Sequence, residues 1–435
     1  MGPTATASFE WDYSTWSDYD GWPAAVEVFG GRLYWGQGDT IYGSVPDAYK
    51  SFDDTIEGDS APIARSIGSN TQRGILWLLG LQRLIAGTDV AETSIKASSY
   101  DEPLTASNWF PVNASTRGCA SIRAIKSDKD GIFVQTSRTG AFRMVFDQGA
   151  IDYGSADLMA MHEEVCGGSP IVDLAIQRRP DTVIWFILEN GEARALTYEP
   201  VENVIAWSRV VTDGQIKCVA ASRGKAQDSV YFAVVRNGTQ RLERMSQVGE
   251  CRGGSLNCLA DAFTRFSVSE PQTTFAVPHL DGQQVTVWVN GAAIHDQDNL
   301  YTVTGGQVVL GEAVTSGDVV IGLPYTGRWQ STKLAYGAQM GTALFQRKRI
   351  SQLGLYLVST MLDGLRVGHD FDNLRQLTAT KSGKPIMPGE LQRTFDADLM
   401  PINSDWDTDS RICIEARAPY PFTASAMVLD IKTNG

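Results

Sequence analysis

The feature that most limits what this chain can fold into is an apolar burst that recurs about every fifty residues. Each burst is followed, across residues typical of turns, by a second apolar run, and this pattern indicates a β-hairpin. In the clearest copy, Leu33-Tyr34-Trp35 precedes a Gly-Gln-Gly-Asp turn and the run Thr40-Ile41-Tyr42. The anchors of the successive bursts, separated by 50, 49, 52 and 47 residues, are Tyr34, Leu84, Phe133, Trp185 and Phe232.

A period near fifty predicts a β-propeller, because a four-stranded blade takes roughly 40–50 residues. One blade leaves both faces of its sheet uncovered, so the copies must stack around a ring. Five hairpins predict five blades, and a sixth would have to be assembled from the N-terminal strand or from the chain after 331. A β-sandwich or tandem small β-domains stay open as alternatives, since regularly spaced short strands serve those folds too.

The rhythm tightens after the fifth copy. Short strands joined by Asn-Gly and Gly-Gly turns follow one another between Val285 and Gly322, which indicates a separate small β-domain. The predicted fold class is therefore all-β: a β-propeller of five to six blades with an additional small β-sandwich or barrel-like domain. The predicted divisions are an N-terminal arm at 1–20, propeller blades at 21–275, an inserted small β-domain at 276–330, and a C-terminal β region at 331–435 that either completes the propeller or forms a platform.

The arm alternates aromatic and acidic residues, which is typical of an extended segment that docks on a neighbour or on its own domain. The longest apolar run, at 75–81, is far shorter than the roughly 20 residues of a membrane-spanning helix. The start of the chain shows no basic segment followed by an apolar core, so we expect no secretory signal. The sequence predicts a protein made in the cytoplasm and without a membrane-spanning segment.

The charge balance is acidic, with 37 Lys and Arg against 50 Asp and Glu and a net charge of −13. A sequence-specific reader of nucleic acid carries a basic footprint, and this chain has no run of lysine or arginine. We therefore expect no sequence-specific nucleic-acid binding.

The cysteines and histidines point to no reactive centre. Cys251 and Cys258 are close enough for a disulfide or half a metal site, but no second pair at CxxC spacing accompanies them. Buried or unreactive thiols are the favoured interpretation. His162 lies beside two glutamates in a brief helix predicted over 157–164, where the simplest interpretation is a solvated face.

The acidic stretch 405–409 resembles the start of a calcium loop, but Ser410 stands where that loop needs glycine and Ala416 where it needs glutamate. A solvated acidic turn is favoured. Paired carboxylates for glycoside cleavage come from distant parts of a sequence, so that chemistry stays open. Accordingly, we predict no catalytic, cofactor-binding or metal-binding residues, no cofactor, and a protein that is not an enzyme.

A series of short motifs resembles the nozzle proteins of short-tailed phages, also called tail tubular protein B or packaged-DNA stabilisation proteins. The family pattern is approximately G-x-P-x-x-V, then R-L-x-x-G, then W-G-S-x-x-x-x-Y-x-x-F; Tyr42 stands where tryptophan is commoner. The matching segments are 22–26, 31–36, 41–44, 49–52, 195–198, 206–209, 212–214, 230–236, 242–244, 280–285, 320–325 and 347–350. They span about 22–430, although some family members carry a longer N-terminal part and insertions that this chain lacks.

The resemblance implies a structural protein of the virion tail. Such a protein forms a homohexameric ring, with propellers around a DNA channel, that retains packaged DNA and lets it pass during ejection. The implied partners are further copies of the chain, other tail proteins on the adaptor or portal side, tail fibres or spikes, and double-stranded DNA in transient passage without sequence-specific binding. An acidic wall suits sliding DNA because it repels phosphates. The alternatives are a glycan-binding or glycan-cleaving propeller and a scaffold propeller for protein–protein contacts.

Overall fold

The computed structural model describes an almost entirely β-stranded chain. The described residues are 15–68, 73–99, 102–247, 259–294, 300–335, 337–338, 341–377, 380–381, 384–387, 389–402 and 404–433. Their helices are short 3-10 turns, and none of the helices in this part of the chain is long and apolar enough to cross a membrane. The chain divides into two compact units, Met1–Met245 and Ser246–Gly435.

The first unit consists of five antiparallel sheets in which each strand pairs with its neighbour in sequence. Blade 1 contains β1 (Ala25–Phe29), β2 (Arg32–Gln37), β3 (Thr40–Gly43) and β4 (Ile63–Ser66). Blade 2 contains β5 (Ile75–Gly80), β6 (Leu84–Thr88), β7 (Glu92–Lys96) and β8 (Phe110–Ser115). Blade 3 contains β9 (Ile125–Ser127), β10 (Asp130–Val134), β11 (Ala141–Asp147) and β12 (Asp152–Asp157).

Blade 4 contains β13 (Ile171–Gln177), β14 (Val183–Leu188), β15 (Ala193–Glu199) and β16 (Val204–Val210). Blade 5 contains β17 (Gln215–Ser222), β18 (Ser229–Arg236) and β19 (Thr239–Arg244). Single 3-10 turns lie at Gly58–Ser60, Glu163–Cys166 and Pro200–Glu202. The predicted fold class, all-β with propeller blades and an additional small β-domain, is confirmed.

The cores of the first unit lie between successive blades. Tyr34 and Leu84 share a buried cluster between blades 1 and 2. Between blades 2 and 3, the ring centroids of Phe133 and Trp77 lie 5.8 Å apart. Trp185 meets Phe232 at 5.3 Å between blades 4 and 5. All five anchors of the sequence period therefore lie in these cores, which explains why the period was visible: each repeat needs one large apolar residue to cover its neighbour.

First strands lie side by side in blades 1 and 2 and in blades 3, 4 and 5. β1 contacts β5, β9 contacts β13, and β13 contacts β17. Since strand direction alternates in an antiparallel meander, the loop after the first strand and the loop after the third strand lie at the same end of each blade. Within each blade, the loop after the first strand borders the first-strand edge, which we call the inner edge, and the loop after the third strand borders the opposite, outer edge.

Two local expectations meet different outcomes. The brief helix predicted over 157–164 is wrong, because Asp157 still pairs with Phe142 as the last residue of β12 and only Glu163–Cys166 forms a 3-10 turn. Of the arm, residues 15–20 are described. There Trp16 packs edge-on against Trp35 and Tyr42, each at 5.8 Å, so this part of the arm docks on blade 1.

The second unit begins with a small β-domain. Its strands are β20 (Asp261–Val268), β21 (Gln272–Ala276), β22 (Gln284–Val289), β23 (Ala292–Ala293), β24 (Tyr301–Thr302), β25 (Gln307–Val314) and β26 (Gly317–Leu323), with a 3-10 turn at Pro278–Leu280. They enclose a core around Phe275, Val287 and Ile321. β20 and β21 lie before the predicted boundary at 275, yet they pair with β26 and β25, which lie after it.

The described remainder of the second unit forms two larger sheets and two two-stranded sheets. The strands are β27 (Thr326–Gln330), β28 (Gly337–Ala338), β29 (Gly341–Thr342), β30 (Lys348–Thr360), β31 (Leu365–Gly368), β32 (Arg375–Gln376), β33 (Thr380–Lys381), β34 (Lys384–Pro385), β35 (Gln392–Pro401), β36 (Cys413–Arg417) and β37 (Ala424–Thr433), with 3-10 turns at Ala343–Phe345 and Leu362–Gly364. The two-stranded sheets are β28-β29 and β33-β34. The sheet β27-β36-β31-β32 and the sheet β35-β30-β37 share one core, in which Leu355, Leu365 and Ile414 are buried.

Candidate functional site

The candidate site is a cluster of cations at the C-terminal ends of the first strands of blades 3, 4 and 5. We call this cluster the basic lip, and all six of its side chains are exposed. Its members are Lys126, Lys129, Arg178, Arg179, Arg223 and Lys225. Because the first strands of these blades are neighbours, three hairpins that are about fifty residues apart in sequence come together at one end of the unit.

Hydrogen bonds between blades show that the lip is continuous. The Lys126 ammonium donates to the carbonyl of Gly80 at 3.0 Å, which ties blade 3 to blade 2. The Arg178 guanidinium donates to the carbonyl of Lys126 at 2.8 Å, and the Arg179 guanidinium donates to the carbonyl of Lys225 at 3.2 Å. Each basic hairpin therefore contacts the next one, and the spacing of the cations is fixed by backbone as well as by side chains.

A buried carboxylate holds two of these hairpins together. Asp228, only 5% exposed, accepts hydrogen bonds from the backbone N–H groups of Arg178 at 2.8 Å and Gly224 at 3.3 Å. Burial opposes the charge of Asp228, but these backbone donors outweigh it and lower its pKa. A Cβ on Gly224 would meet the carbonyl of Gln227 at 1.9 Å, so glycine is required for this tight hairpin.

Negative charge lies further out at the same end. The connector 44–62, between β3 and β4 of blade 1, is acidic, with Lys50 as its one cation. Its five carboxylates, all exposed, are Asp47, Asp53, Asp54, Glu57 and Asp59. The net charge of −13 is therefore unevenly distributed, with cations on the inner loops of blades 3 to 5 and carboxylates on the outer connector of blade 1.

The connector is anchored by a buried arginine. Arg32, 3% exposed, donates to the carbonyls of Ser44 at 2.6 Å, Ala61 at 2.8 Å and Asp59 at 2.6 Å. These carbonyls lie near the two ends of the connector, so one guanidinium closes the loop. This is the arginine of the R-L-x-x-G motif, and its role here is to hold backbone.

One half-buried and one buried carboxylate of the first unit, Asp152 and Glu92, are occupied by structural contacts. Asp152 pairs with Arg83 at 2.7 Å and with Lys96 at 3.4 Å, which joins blade 3 to blade 2. Glu92 is fully buried and accepts a hydrogen bond from the thiol of Cys119 at 2.9 Å. Burial raises the pKa of Glu92 and of Cys119, so both groups favour their neutral forms in the interior.

The motifs considered in the sequence are placed as follows. Cys251 and Cys258 lie outside the described residues, and His162 is exposed just before a 3-10 turn. In 405–409, Asp407 accepts from the backbone N–H of Asp409 at 3.2 Å, within its own loop. No group of three or more His, Cys, Asp or Glu side chains with the arrangement of a metal site is found among the residues that the structure describes.

A cavity of about 210 Å³ lies within the second unit, lined in part by Pro324, Tyr325, Arg417 and Tyr420. Its one cation is engaged, because Arg417 donates to Glu415 at 2.9 Å. The glycan alternative called for exposed tryptophans gathered at one mouth of the blades. Among the described tryptophans, Trp22, Trp329 and Trp406 are strongly exposed, and only Trp22 belongs to the first unit.

The sequence named no site residues and missed the basic lip. A signal was present: superimposing the repeats puts Lys126, Arg178 and Arg223 at or just after the end of each first strand. The cations do not form a run in sequence, so only the fifty-residue period brings them into register.

No family model matches the chain, and no curated protein matches it. Among solved structures, the chain is similar to a luciferin-regenerating enzyme at 12% identity and a TM-score of 0.30, over 51% of this chain and 75% of that one. It is similar to Raptor of Chaetomium thermophilum at 10% identity and a TM-score of 0.28, over 69% of this chain and 27% of that one. It is also similar to the Bacteroides ovatus xyloglucan PUL GH43B at 10% identity and a TM-score of 0.23, over 94% of this chain and 89% of that one. Likeness at these values carries no argument about function.

Proposed function

We propose that the chain is a structural nozzle protein of a short-tailed phage. In this role it forms a ring around the DNA channel at the end of the tail, retains packaged DNA and lets it pass during ejection. The observation that carries the proposal is the order of the family-like motifs, which lie between 22 and 350. No one of these short motifs is specific alone, and their common order is what gives them weight.

The positions of the motifs in the fold support this proposal. Segment 31–36 forms most of β2, segment 195–209 covers β15 and β16, and segment 230–236 forms most of β18. Segments 320–325 and 347–350 cover the end of β26 and the start of β30. The resemblance therefore concerns paired strands of both units, as expected for a family related through its scaffold.

The packing of the first unit suits a channel wall, because it makes neighbouring blades hard to separate. Neighbouring blades share buried cores, and side chains such as Arg83, Asp152 and Arg178 bond across blade boundaries. Separating two blades would expose an apolar core and break these bonds together, so the sheets resist being pushed apart. The function requires further copies of the chain and neighbouring proteins on the adaptor or portal side and at the fibres or spikes.

Co-expression tests the proposal directly. The full chain is produced with the tail proteins encoded beside it, and the assemblies are examined by negative-stain microscopy and native mass measurement. We expect closed rings of six copies of the 47.4 kDa chain. A chain that stays outside every assembly, or a purified monomer that cleaves polysaccharide at about 1–1000 per second, would refute the proposal.

A further inference from the structure

We propose that the basic lip binds the phosphate groups of double-stranded DNA without reading its sequence. This inference rests on the proposed function and deepens it, because it names the residues that touch the DNA. The acidic net charge suits a wall along which DNA slides, and the lip adds a local surface that attracts phosphates.

The local charge of the lip is positive. The three hairpins of the lip hold six cations against four carboxylates, which are Asp128, Asp130, Asp181 and Asp228. An excess of positive charge in a chain with a net charge of −13 needs a reason, because scattered surface charges would follow the overall sign. Exposed ammonium and guanidinium groups are the groups that bind phosphate oxygens in proteins.

Three of the six cations, Lys126, Arg178 and Arg179, are held in place before any ligand arrives. Arg178 donates one hydrogen bond to a carbonyl of blade 3 at 2.8 Å, and Arg179 donates one to a carbonyl of blade 5 at 3.2 Å. A guanidinium has five N–H donors, so this anchoring leaves capacity for phosphate. Asp228 fixes the backbone of two of the three hairpins from below, and less conformational entropy is lost on binding.

The distribution of charge at this end determines where DNA is attracted. The five carboxylates of the connector 44–62 lie at the outer edge of blade 1, at the same end of the sheets as the lip, and repel phosphates there. A surface with cations inside and carboxylates outside directs a polyanion to the inner part. Phosphate contacts carry no sequence information, so binding there is weak, salt-sensitive and compatible with sliding.

The test measures binding of the full chain to two short duplexes of unrelated sequence by fluorescence anisotropy, at several salt concentrations. The lip variant carries Lys129→Gln, Arg223→Gln and Lys225→Gln, which removes three cations and leaves the anchored arginines in place. The control variant carries Arg375→Gln, Lys384→Gln and Arg393→Gln, which removes three exposed cations from the second unit. Circular dichroism and thermal unfolding verify that all three proteins are folded.

We expect equal affinity for the two duplexes and a logarithmic salt slope no steeper than about −5, since six cations at about −0.9 each set the limit. The lip variant should lose about one unit of slope per removed cation, and the control variant should keep the wild-type slope. The inference is overturned by equal losses in both variants, by an unchanged slope in the lip variant, or by a preference for one duplex.

A second copy of the chain is the competing occupant, because its acidic connector also complements the lip. Sedimentation of the same variants without DNA separates the two: if the lip variant changes self-association and not DNA binding, the inference is overturned. Failure here is distinguishable from failure of the proposed function. A chain that assembles into tail rings but ignores DNA at the lip loses only this inference, and a chain that binds duplexes at the lip but never joins a tail loses the proposed function.

Discussion

Replacing Gly87 by alanine tests the stacking of blades 2 and 3 through a single methyl group. A Cβ at this position would lie 2.2 Å from Cε2, 2.4 Å from Cζ2 and 2.7 Å from Cδ2 of Trp77. The ring is enclosed, since Trp77 is 2% exposed and its ring centroid lies 5.8 Å from that of Phe133 in the core between the blades. Relief requires a shift of about 1 Å by the ring or the strand.

Overpacking of this kind lowers the free energy of unfolding by about 1–3 kcal/mol. For a unit of this size each kcal/mol lowers the melting temperature by roughly 2–4 °C. We therefore expect Gly87→Ala to lower the melting temperature of the first unit by about 2–12 °C in a calorimetric scan of the full chain.

The matched control is Gly154→Ala in β12, where no atom lies within 4 Å of the added Cβ. It should be neutral, or stabilising by about 0.4–1 kcal/mol through the unfolded state. Shrinking the ring in the double variant Gly87→Ala with Trp77→Leu should restore part of the loss, with a coupling of roughly 0.5–3 kcal/mol. Equal effects at Gly87 and Gly154, or strictly additive effects in the double variant, would refute the packing of Trp77 on Gly87.

Three further predictions concern buried polar groups. Arg32→Met leaves three carbonyls of the connector 44–62 without their donor, at about 1–3 kcal/mol each, so limited proteolysis should cut the connector first. Since burial raises the pKa of Glu92, its carboxyl opposes folding as pH rises above about 4.5, and Glu92→Gln should gain melting temperature relative to wild type between about pH 4.5 and 8. The pKa of Asp228 is lowered, so its contribution is present above about pH 4 and lost as pH falls through the folded pKa, and the destabilisation by Asp228→Asn should be full at neutral pH and shrink progressively below about pH 4.

Each of these has an outcome that contradicts it. Arg65→Met removes an exposed guanidinium that bonds the carbonyl of Ala106, and it should leave the connector resistant; equal cutting in both variants would show that Arg32 does not hold the connector. A constant gap between Glu92→Gln and wild type across pH would mean that Glu92 is ionised when folded. A loss at Asp228→Asn that stays undiminished below about pH 4 would mean that shape, and not charge, joins the hairpins.

The sequence predicted the blades well because their signal is local and repeated. Tyr34, Phe133 and Trp185 recur at one position of each hairpin, and every one of them lies in a core between blades. Pairing between distant segments left no such signal. β20 pairs with β26 some fifty residues later, and nothing within 261–275 distinguishes it from another blade strand.

The candidate site could not be predicted in the same way. Lys129, Arg179 and Lys225 are ordinary surface cations in sequence, and only the contact of neighbouring first strands makes them one cluster. The brief helix at 157–164 failed for a related reason, because pairing of β12 with β11 overrides local helix propensity up to Asp157.

The central claim, that this chain is part of a phage tail, is tested most directly by locating it on intact particles. Particles produced from the genome that encodes the chain are labelled with an antibody fragment raised against the exposed connector 44–62 and imaged by cryo-electron microscopy. The account predicts a ring of labels around the axis at the tip of a short tail. Labels scattered over the capsid, or particles that carry none while the free chain is labelled, would contradict it.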